Sequence, residues 1–326
     1  MRRFDHRAAR GGVVVFGVLC VLVVGAGDGA APSADAGEVG AADASLKSVS
    51  KIGPNVGPHV VIDPPVLKGR QGDVVELTLT LPASDPGPGG QAAPSGRLVG
   101  HDVPFFRLGE PGRFGALVGI DIDAPTGRQM LTVTVGDRTV ATVPVVIAAQ
   151  HFPTQTLTVP DAMVHLDEAA LTRAKKEQQE VLASMAPVTP SRWWSGPFVL
   201  PTEGAVMGSF GKRRIINGEP RAPHSGEDFA APEGSRVVAA NDGVVSLIGD
   251  HFFSGRSIFI DHGDGLYTMY FHLSKVLVAP GQHVRKGDVI GLVGSSGRAT
   301  GPHLHWGARL NGARINPIEL THVAFQ

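Results

Sequence analysis

The chain has 326 residues, 42% hydrophobic and 18% charged, and is long enough for two domains with separate cores. Its formal net charge of -1 and the lack of a basic block remove the electrostatic footprint that nucleic-acid binding requires. The 43 glycines, 25 prolines and few aromatic residues favour short strands joined by turns over a helical bundle. We therefore expect a mainly β protein without a nucleic-acid partner.

The first 26 residues have the pattern of an export signal. Four arginines among the first ten residues precede the apolar run GGVVVFGVLCVLVVGAG. Because this run is shorter than the about 20 residues that cross a membrane, we expect a cleaved signal peptide over residues 1–26 rather than a short anchor. The mature protein would then act in the periplasm or outside the cell, without stable membrane insertion. Cys20, the only cysteine, lies within the run, so a metal site would use His, Asp or Glu ligands.

The next segments predict a linker, a β domain and a second linker. Residues 27–50 are rich in Ala, Gly and Asp without periodicity, which is typical of a flexible linker. Residues 51–150 contain alternating runs such as VVELTLTLP and MLTVTVGDRTVATVPVVI, with Gly-Asp turns between them. We expect an immunoglobulin-like β-sandwich there, ordered from about Val60 to Ile147. Residues 151–195 are predicted to form a linker with one helix, capped by Asp167 and ended by Pro187.

Two short segments in the last third of the chain carry histidines at even spacing. In GPHLHWG, His303 and His305 would share one side of a strand, because alternate side chains of a strand point to the same face. His224 and Asp228 lie four residues apart in PHSGED, where glycine and proline disfavour a helix and an extended chain would again align them. His and Asp are zinc ligands by type. A solvated surface pair would show the same spacing in either segment.

A third segment, SIFIDHGDGLYTMYFHLS, has a hairpin pattern with HGDG at the turn. Alternation predicts that Thr268, Tyr270 and His272 share one face of the returning strand. The turn histidine, His262, is expected to bond to local backbone. Two others, His251 and His283, have no partner at a useful spacing and are expected on the surface.

These segments offer five candidates for a metal site and its proton carriers. A structural zinc site has four protein ligands, whereas a hydrolytic one has three and an open position for water. His224, Asp228 and one histidine of HLH would form the hydrolytic set. The other strand histidine and His272 would then carry protons. From the residues alone, either His303 or His305 can be the ligand.

The segments HSGEDFAAP, GLYTMYFHLS and GPHLHWG together resemble the lysostaphin and LytM type of zinc metallopeptidases. The similarity runs from Gly208 to Pro317 and includes the glycine-rich segment VRKGDVIGLVGSSGRATG. It implies an antiparallel β metallopeptidase domain over residues 196–326 with one Zn²⁺ per chain. It also implies hydrolysis of peptide bonds in the cross-links or stems of bacterial peptidoglycan. The region Pro104–Pro125 more loosely resembles the β-sandwich that precedes the catalytic domain in some exported members.

The same resemblance assigns roles to the candidate residues. It implies that the metal ligands are His224, Asp228 and His305. It implies that the catalytic histidines are His303 and His272, which activate water and stabilise the oxyanion. Some members place a tyrosine beside the metal, whereas the only tyrosines here, Tyr267 and Tyr270, come just before His272.

Two other functions compete with this interpretation. Relatives with eroded metal sites do not catalyse but activate cell-wall amidases, and this chain lacks none of the ligands. The segment GQHVRKGDVIGLVGSSG resembles biotinyl and lipoyl carrier domains, yet its lysine, Lys286, lies in the turn before the strand and not at a hairpin tip. We therefore expect an exported zinc endopeptidase associated with the cell wall.

Overall fold

The computed structural model describes residues 55–57, 60–82, 93–158 and 166–325. The predicted signal peptide (1–26) and flexible linker (27–50) lie outside the described residues. The described part is mainly β, as predicted, with one α-helix and a single 3-10 helix among its strands. Within it, no helix has both the length and the apolar character needed to span a membrane.

The first domain is built from ten strands in two sheets that pack face to face. A six-stranded sheet has the order β1-β10-β9-β5-β6, with β3 beside β10, and a four-stranded sheet has the order β2-β4-β8-β7. Alternate apolar side chains of both sheets fill the core between them, with Leu77 and Leu79 facing Leu131 and Val133. The strands are β1 (Asn55–Val56), β2 (Val61–Asp63), β3 (Leu67–Arg70), β4 (Val74–Thr80), β5 (Ser95–Leu98), β6 (His101–Pro104), β7 (Phe106–Arg107), β8 (Arg113–Gly119), β9 (Gly127–Val135) and β10 (Arg138–Ala148). The immunoglobulin-like classification of this sandwich stays a prediction.

The segment between the domains packs closely on the second domain. Its helix α1 (Glu168–Ser184) begins as predicted, with the side chain of Asp167 accepting a hydrogen bond of 2.8 Å from the amide of Ala170. Val181 of this helix is buried against aromatic side chains of the second domain. Before the helix, β11 (Thr154–Leu157) pairs in parallel with a strand of that domain.

The second domain is dominated by a ten-stranded sheet. Its central order is β12-β15-β22-β19-β18-β17-β20, extended by β16, β21 and β23, while β11, β13 and β14 form a separate three-stranded sheet. The strands are β12 (Ala205–Val206), β13 (Arg213–Ile216), β14 (Glu219–Arg221), β15 (Gly226–Ala230), β16 (Arg236–Val238), β17 (Gly243–His251), β18 (Gly255–Asp261), β19 (Leu266–Val276), β20 (His283–Val284), β21 (Val289–Val293), β22 (Leu304–Leu310) and β23 (Ala313–Ile315). A 3-10 helix, Pro317–His322, follows.

The two faces of the large sheet pack against different partners. On one face, Phe229, Tyr270 and Trp306 belong to the main core of the second domain. On the other face, Met269 and Phe271 form a smaller cluster with Phe259 and the linker helix. Strand alternation explains the division, because Met269 and Phe271 lie at odd positions of β19 and Tyr270 at an even one.

A partly buried ion pair joins the two domains. The guanidinium of Arg314 in β23 donates to both carboxylate oxygens of Asp121, which follows β8, over 2.6 Å and 3.0 Å. Asp123 accepts a further bond of 2.9 Å from the same guanidinium. The ring of Phe106 in β7 also packs edge-on against Trp194, with centroids 5.5 Å apart. The β-sandwich therefore contacts β23, the strand that follows the HLH strand β22 in the sequence.

Candidate metal centre

Backbone pairing brings three predicted ligands together. Strands β15 and β22 are antiparallel neighbours, and Asp228 lies directly opposite His305. His224 precedes β15, where its amide donates to the carbonyl of Lys212 over 3.0 Å and its carbonyl accepts from the amide of Gly211 over 2.8 Å. The side chains of Asp228 and His305 on these strands, and that of His224 beside them, therefore point into the same small space.

The donor atoms of these side chains are spaced as zinc ligands. Nε2 of His224 and Nδ1 of His305 lie 3.2 Å and 3.0 Å from Oδ1 of Asp228, and 3.1 Å from each other. Ligands about 2.0 Å from a tetrahedral zinc ion are separated by about 3.3 Å. Two imidazole nitrogens and one carboxylate oxygen thus meet both the chemical and the geometric requirements of a Zn²⁺ site.

Hydrogen bonds and burial orient His224 and shift the pKa values of His305 and Asp228. Nδ1 of His224 donates to the carbonyl of Gly226 over 2.7 Å, which leaves the lone pair of Nε2 directed at the site. Burial lowers the pKa of His305 to about 4, although Asp228 opposes the shift. Burial raises the pKa of Asp228, but the contacts of its carboxylate with the imidazoles of His224 and His305 outweigh burial and hold the pKa well below its usual range. The three groups thus present two imidazole nitrogens and one carboxylate oxygen to the site.

Gly226 and Glu227 shape the strand that carries Asp228. A Cβ atom at Gly226 would lie 2.5 Å from Nε2 of His305, so no larger residue fits there. The buried carboxylate of Glu227 accepts from the amide and the hydroxyl of Ser209 over 2.7 Å and 3.0 Å. The hydroxyl of Ser209 in turn accepts from the amide of Asp228 over 2.7 Å. The hydrogen bonds of Ser209 with Glu227 and Asp228 were not predicted from the sequence. The one sequence feature that could have indicated them is Glu227, an acidic residue next to a candidate ligand.

The other two predicted site residues lie next to the three ligands. The ring centroid of His272 is 4.7 Å from that of His303 and 6.2 Å from that of His305. Nδ1 of His272 donates to the carbonyl of Ser296, and Nδ1 of His303 donates to the carbonyl of Gly301, each over 2.9 Å. In both rings Nε2 is then the basic nitrogen. Burial, followed by the nearby His305 and His303, lowers the pKa of His272 to about 3.

His272 reaches this position through a bulge that the sequence analysis missed. Strand β18 advances by two residues from Arg256 to Ile258 while β19 advances by three, from Tyr270 to Leu273. The extra residue is accommodated at His272, whose φ is +63°. The prediction that His272 shares a face with Thr268 and Tyr270 is therefore wrong. Those two side chains lie on the core face, where their hydroxyl oxygens are 3.0 Å apart.

The remaining histidines lie elsewhere. His262 occupies the predicted turn, but it is fully buried, and its Nδ1 donates over 2.7 Å to the carbonyl of Asp242, which is distant in sequence. His251 was expected on the surface, and this expectation is wrong: the side chain is buried, with Nδ1 3.0 Å from the hydroxyl of Ser257. Its pairing partner was not predictable because it comes from the neighbouring strand. His283 is exposed, as predicted.

Both tyrosines and the carrier-like lysine have partners away from the three ligands. The hydroxyl of Tyr267 donates to the carbonyl of Pro187 over 2.8 Å, and that of Tyr270 accepts from the amide of Ala240 over 2.9 Å. The ammonium of Lys286 donates to the backbone carbonyls of Ser195 and Pro197 over 2.8 Å and 2.9 Å. A lysine held in this way is not presented for attachment of a cofactor.

Comparisons with known proteins agree with the geometry of the site. Residues 222–317 match the model of the family described as Peptidase family M23. The chain is 43% identical over 115 residues to the peptidoglycan DD-endopeptidase ShyA of Vibrio cholerae, covering 35% of this chain and 27% of the relative. It is 48% identical over 97 residues to the DD-carboxypeptidase/endopeptidase Mpg of Neisseria meningitidis, covering 30% of this chain and 22% of the relative. The match thus spans about a quarter of the length of these curated relatives.

A solved structure extends the likeness to both domains. The protein in a crystal structure of an M23 peptidase from Pseudomonas aeruginosa is 32% identical to this chain, and the two structures have a TM-score of 0.60. The likeness covers 80% of this chain and 97% of that chain. The shared architecture therefore includes more than the region around the three ligands.

Proposed function

Because the chain belongs to peptidase family M23, we propose that it is a zinc-dependent endopeptidase that hydrolyses peptide bonds in the cross-links or stems of bacterial peptidoglycan. The observation that carries the proposal is the convergence of His224, Asp228 and His305, whose donor atoms lie 3.0 to 3.2 Å apart. A set of three protein ligands is typical of hydrolytic zinc sites. The substrate class is supported by the similarity to ShyA, a peptidoglycan DD-endopeptidase, and the type of reaction by the similarity to Mpg, a DD-carboxypeptidase/endopeptidase.

The ligand set suits a hydrolytic metal. Two neutral imidazoles and one carboxylate would leave a bound Zn²⁺ with a net positive charge. When bound, Zn²⁺ supplies a Lewis acid that polarises the scissile carbonyl and lowers the pKa of a water molecule toward about 7. The hydrogen bond from His224 to Gly226 and the bond from Ser209 to the Asp228 backbone would hold two of the ligands in this orientation.

His303 and His272 would divide the proton transfers between them. One of these histidines takes the proton of the attacking water at Nε2 while water adds to the carbonyl carbon of the peptide. The other, protonated at both nitrogens, donates a hydrogen bond to the oxyanion of the tetrahedral intermediate. A histidine then returns the proton to the leaving amine, which gives one new carboxylate and one new amino terminus.

The same proposal places the protein outside the cytoplasm. An arginine-rich start followed by an apolar run is typical of an export signal, and peptidoglycan lies beyond the inner membrane. We propose that residues 1–26 are removed on export and that the enzyme acts in the periplasm or at the cell wall.

The alternative is a non-catalytic regulator that activates cell-wall amidases. A protein with that role does not need a complete set of ligands. The convergence of three ligand side chains with two further histidines beside them favours the enzyme.

A single purified protein sample tests both the endopeptidase function and the regulator function. The chain without residues 1–26 is purified, its zinc content is measured, and it is incubated with isolated peptidoglycan beside the His303→Ala variant. We expect about one zinc per chain in both proteins and new amino termini with the native protein only. Chelation should abolish cleavage, and added Zn²⁺ should restore it. Zinc binding without cleavage by the native protein would contradict the enzyme and favour the regulator.

A further inference from the structure

The turn between β17 and β18, residues 252–254, holds the backbone of His272. The carbonyl of Ser254 in this turn accepts a hydrogen bond of 2.9 Å from the amide of His272. His272 is the bulged residue of β19, and the register of the described strands gives it no partner in β18, β21 or β22. Its amide is therefore held by the turn, outside the regular ladder of the sheet.

The same turn is attached to the loop that supports the ring of His272. In this loop the carbonyl of Ser296 accepts the Nδ1 proton of His272 over 2.9 Å. The hydroxyl of Ser296 accepts from the amide of Arg256, which follows the turn by two residues, over 2.9 Å. The amide of Arg298 in the loop donates to the carbonyl of Phe253 in the turn, also over 2.9 Å. The backbone and the ring of His272 thus both depend on where the turn lies.

Helix α1 of the linker binds the backbone of this turn. One carboxylate oxygen of Glu177 accepts a hydrogen bond of 2.7 Å from the amide of Phe252. The other oxygen accepts one of 2.6 Å from Nε of Arg173, which lies one helical turn earlier. The guanidinium of Arg173 also donates to the carbonyl of Asp250 over 2.9 Å. The two side chains thus attach the helix to the backbone on either side of His251.

The two attachments differ in their exposure to water. The side chain of Glu177 is 16% exposed, whereas that of Arg173 is 54% exposed. A hydrogen bond to a charged group is stronger where water is largely excluded. Loss of the carboxylate would also leave the amide of Phe252 without this acceptor. Glu177 is therefore the residue of the helix on which the position of the turn depends most.

We propose that Glu177 is a positioning residue for peptide hydrolysis, which fixes His272 beside the metal centre by holding the turn at residues 252–254. The inference rests on the function proposed above and adds to it a residue from the segment that joins the two domains. A group that carries protons must lie within hydrogen-bond reach of the reacting atoms, and a displacement of about 1 Å can lower the rate by about a hundredfold. The hydrogen bonds of Glu177 go to Phe252 and Arg173 and not to a proposed ligand, so turnover should depend on Glu177 while zinc binding should not.

The test changes the reach and the charge of this side chain separately. Glu177→Asp keeps the charge but shortens the side chain by a methylene group, whereas Glu177→Gln loses the charge but keeps an oxygen acceptor at the same reach. The substrate is a soluble cross-linked peptide prepared from peptidoglycan. We expect Glu177→Asp to lower kcat about tenfold with KM within about twofold of native, and Glu177→Gln to keep kcat within about threefold of native. Both variants should bind about one zinc per chain, because the three proposed ligands are unchanged.

Hydrogen exchange reports on the turn without any substrate. In Glu177→Asp the amides of Phe252 and His272 should exchange at least about tenfold faster than in the native zinc-loaded protein, because the turn is released from the helix. In Glu177→Gln both amides should exchange at close to the native rate. The matched control is Glu180→Asp, the same change at an exposed position of the same helix. It should leave kcat, KM and both exchange rates within about twofold of native.

The outcomes distinguish this inference from the proposed function. A Glu177→Asp variant with native kcat, or with native exchange at His272, overturns the positioning role and leaves the endopeptidase standing. Loss of zinc from Glu177→Asp, or equal losses in Glu180→Asp, overturns it as well, because the damage is then general. If Glu177→Asp does not fold, Arg173→Gln, which removes the bond to Asp250, takes its place with an expected loss of kcat of about threefold. A native protein that cleaves neither the peptide nor isolated peptidoglycan overturns the proposed function itself, while exchange at His272 still tests whether Glu177 holds the turn.

Discussion

The phenyl ring of Phe271 lies parallel to the imidazole of His305, with ring centroids 5.2 Å apart and an interplanar angle of 3°. Phe271 is buried in the same cluster as Phe259 and Val181 of the linker helix. A proposed zinc ligand is therefore held from behind by an apolar cluster that includes the segment joining the two domains. Packing of this kind fixes the orientation of a ligand ring.

Replacing the stacked ring should weaken metal binding. We expect Phe271→Leu to lower zinc affinity by about tenfold, because His305 would lose the surface that fixes its orientation. The same change should reduce the free energy of unfolding by about 1 to 2 kcal/mol through imperfect repacking. Competition with a chromophoric chelator measures the affinity, and urea unfolding measures the stability.

Phe259→Leu is the matched control for this change. Phe259 lies in the same cluster and packs on Phe271 and His251 rather than on His305. It should show a similar loss of stability with zinc affinity within about twofold of native. Equal losses of affinity in the two variants would show that the stacking has no specific role.

The proposed ligands and the proposed proton carrier should respond differently to substitution. We expect His305→Ala and Asp228→Asn to lose both zinc and turnover, because each removes a ligand from a set of three. His303→Ala should keep about one zinc per chain while turnover falls by at least about a hundredfold, since it removes a general acid–base group. Metal analysis and release of amino termini are measured on each purified variant. Retention of zinc by both ligand variants would contradict the ligand assignment.

His262 should make stability depend on pH. Burial, partly offset by Asp242, lowers its pKa to about 4 from the 6.5 expected in the unfolded chain. Between these values the unfolded chain binds a proton that the folded protein does not, so stability falls as the pH drops from 6.5 toward 4. The loss from this one group should be about 2 to 3 kcal/mol between pH 7.5 and pH 4.5.

The comparison with His262→Asn isolates this contribution. An asparagine can keep the bond to the carbonyl of Asp242 but does not titrate. Burial raises the pKa of Asp264 to about 6, so this group stabilises the folded protein as the pH drops, opposite to His262. Both proteins contain Asp264, so its effect cancels in the comparison. The variant should therefore lose less stability than native over the same pH range in urea unfolding. Parallel curves for the two proteins would rule out the titration of His262 as a cause.

The domain contact should depend on the pair of Asp121 and Arg314. Both side chains are about 85% buried, with exposed fractions of 14% and 15%. Asp121→Ala would leave a buried guanidinium with only Asp123 as partner, so we expect a loss of about 3 kcal/mol. All three tryptophans lie in or next to the second domain, so their fluorescence during urea unfolding reports the effect there.

The control for this change is an ion pair on the surface. Asp102 and Arg97 are paired over 3.1 Å, but both side chains are mostly exposed. Asp102→Ala should change the free energy of unfolding by less than about 1 kcal/mol, because water and salt screen the pair. Similar losses in the two variants would argue against a specific link between the domains at Asp121.

Local sequence patterns predicted the elements whose signals lie within a few residues. Alternation of Leu77 and Leu79 predicted a strand with one buried face, and Asp167 before an apolar helical pattern predicted the helix start. The even spacing of His303 and His305 placed two imidazoles in one space, and the structure has them near the same partner, His272.

Contacts between distant segments escaped prediction. The burial of His251 depends on the hydroxyl of Ser257 across a strand pair, and the pair of Asp121 with Arg314 joins residues 193 positions apart. The position of His272 depends on a bulge against β18, and nothing in YFHLS marks a residue with positive φ. Such features follow from register between strands, which is set by the whole sheet.

The sequence by itself determined the kinds of groups at the site: two histidines and an aspartate as ligand types, and two more histidines able to carry protons. Ligand chemistry is a property of the side chains, so it can be inferred without coordinates. Only the tertiary structure decided which histidine of HLH stands beside Asp228 and which aromatic ring supports that histidine. These relationships depend on which strands become neighbours, and that is settled when the two faces of the large sheet pack against the core and the linker helix.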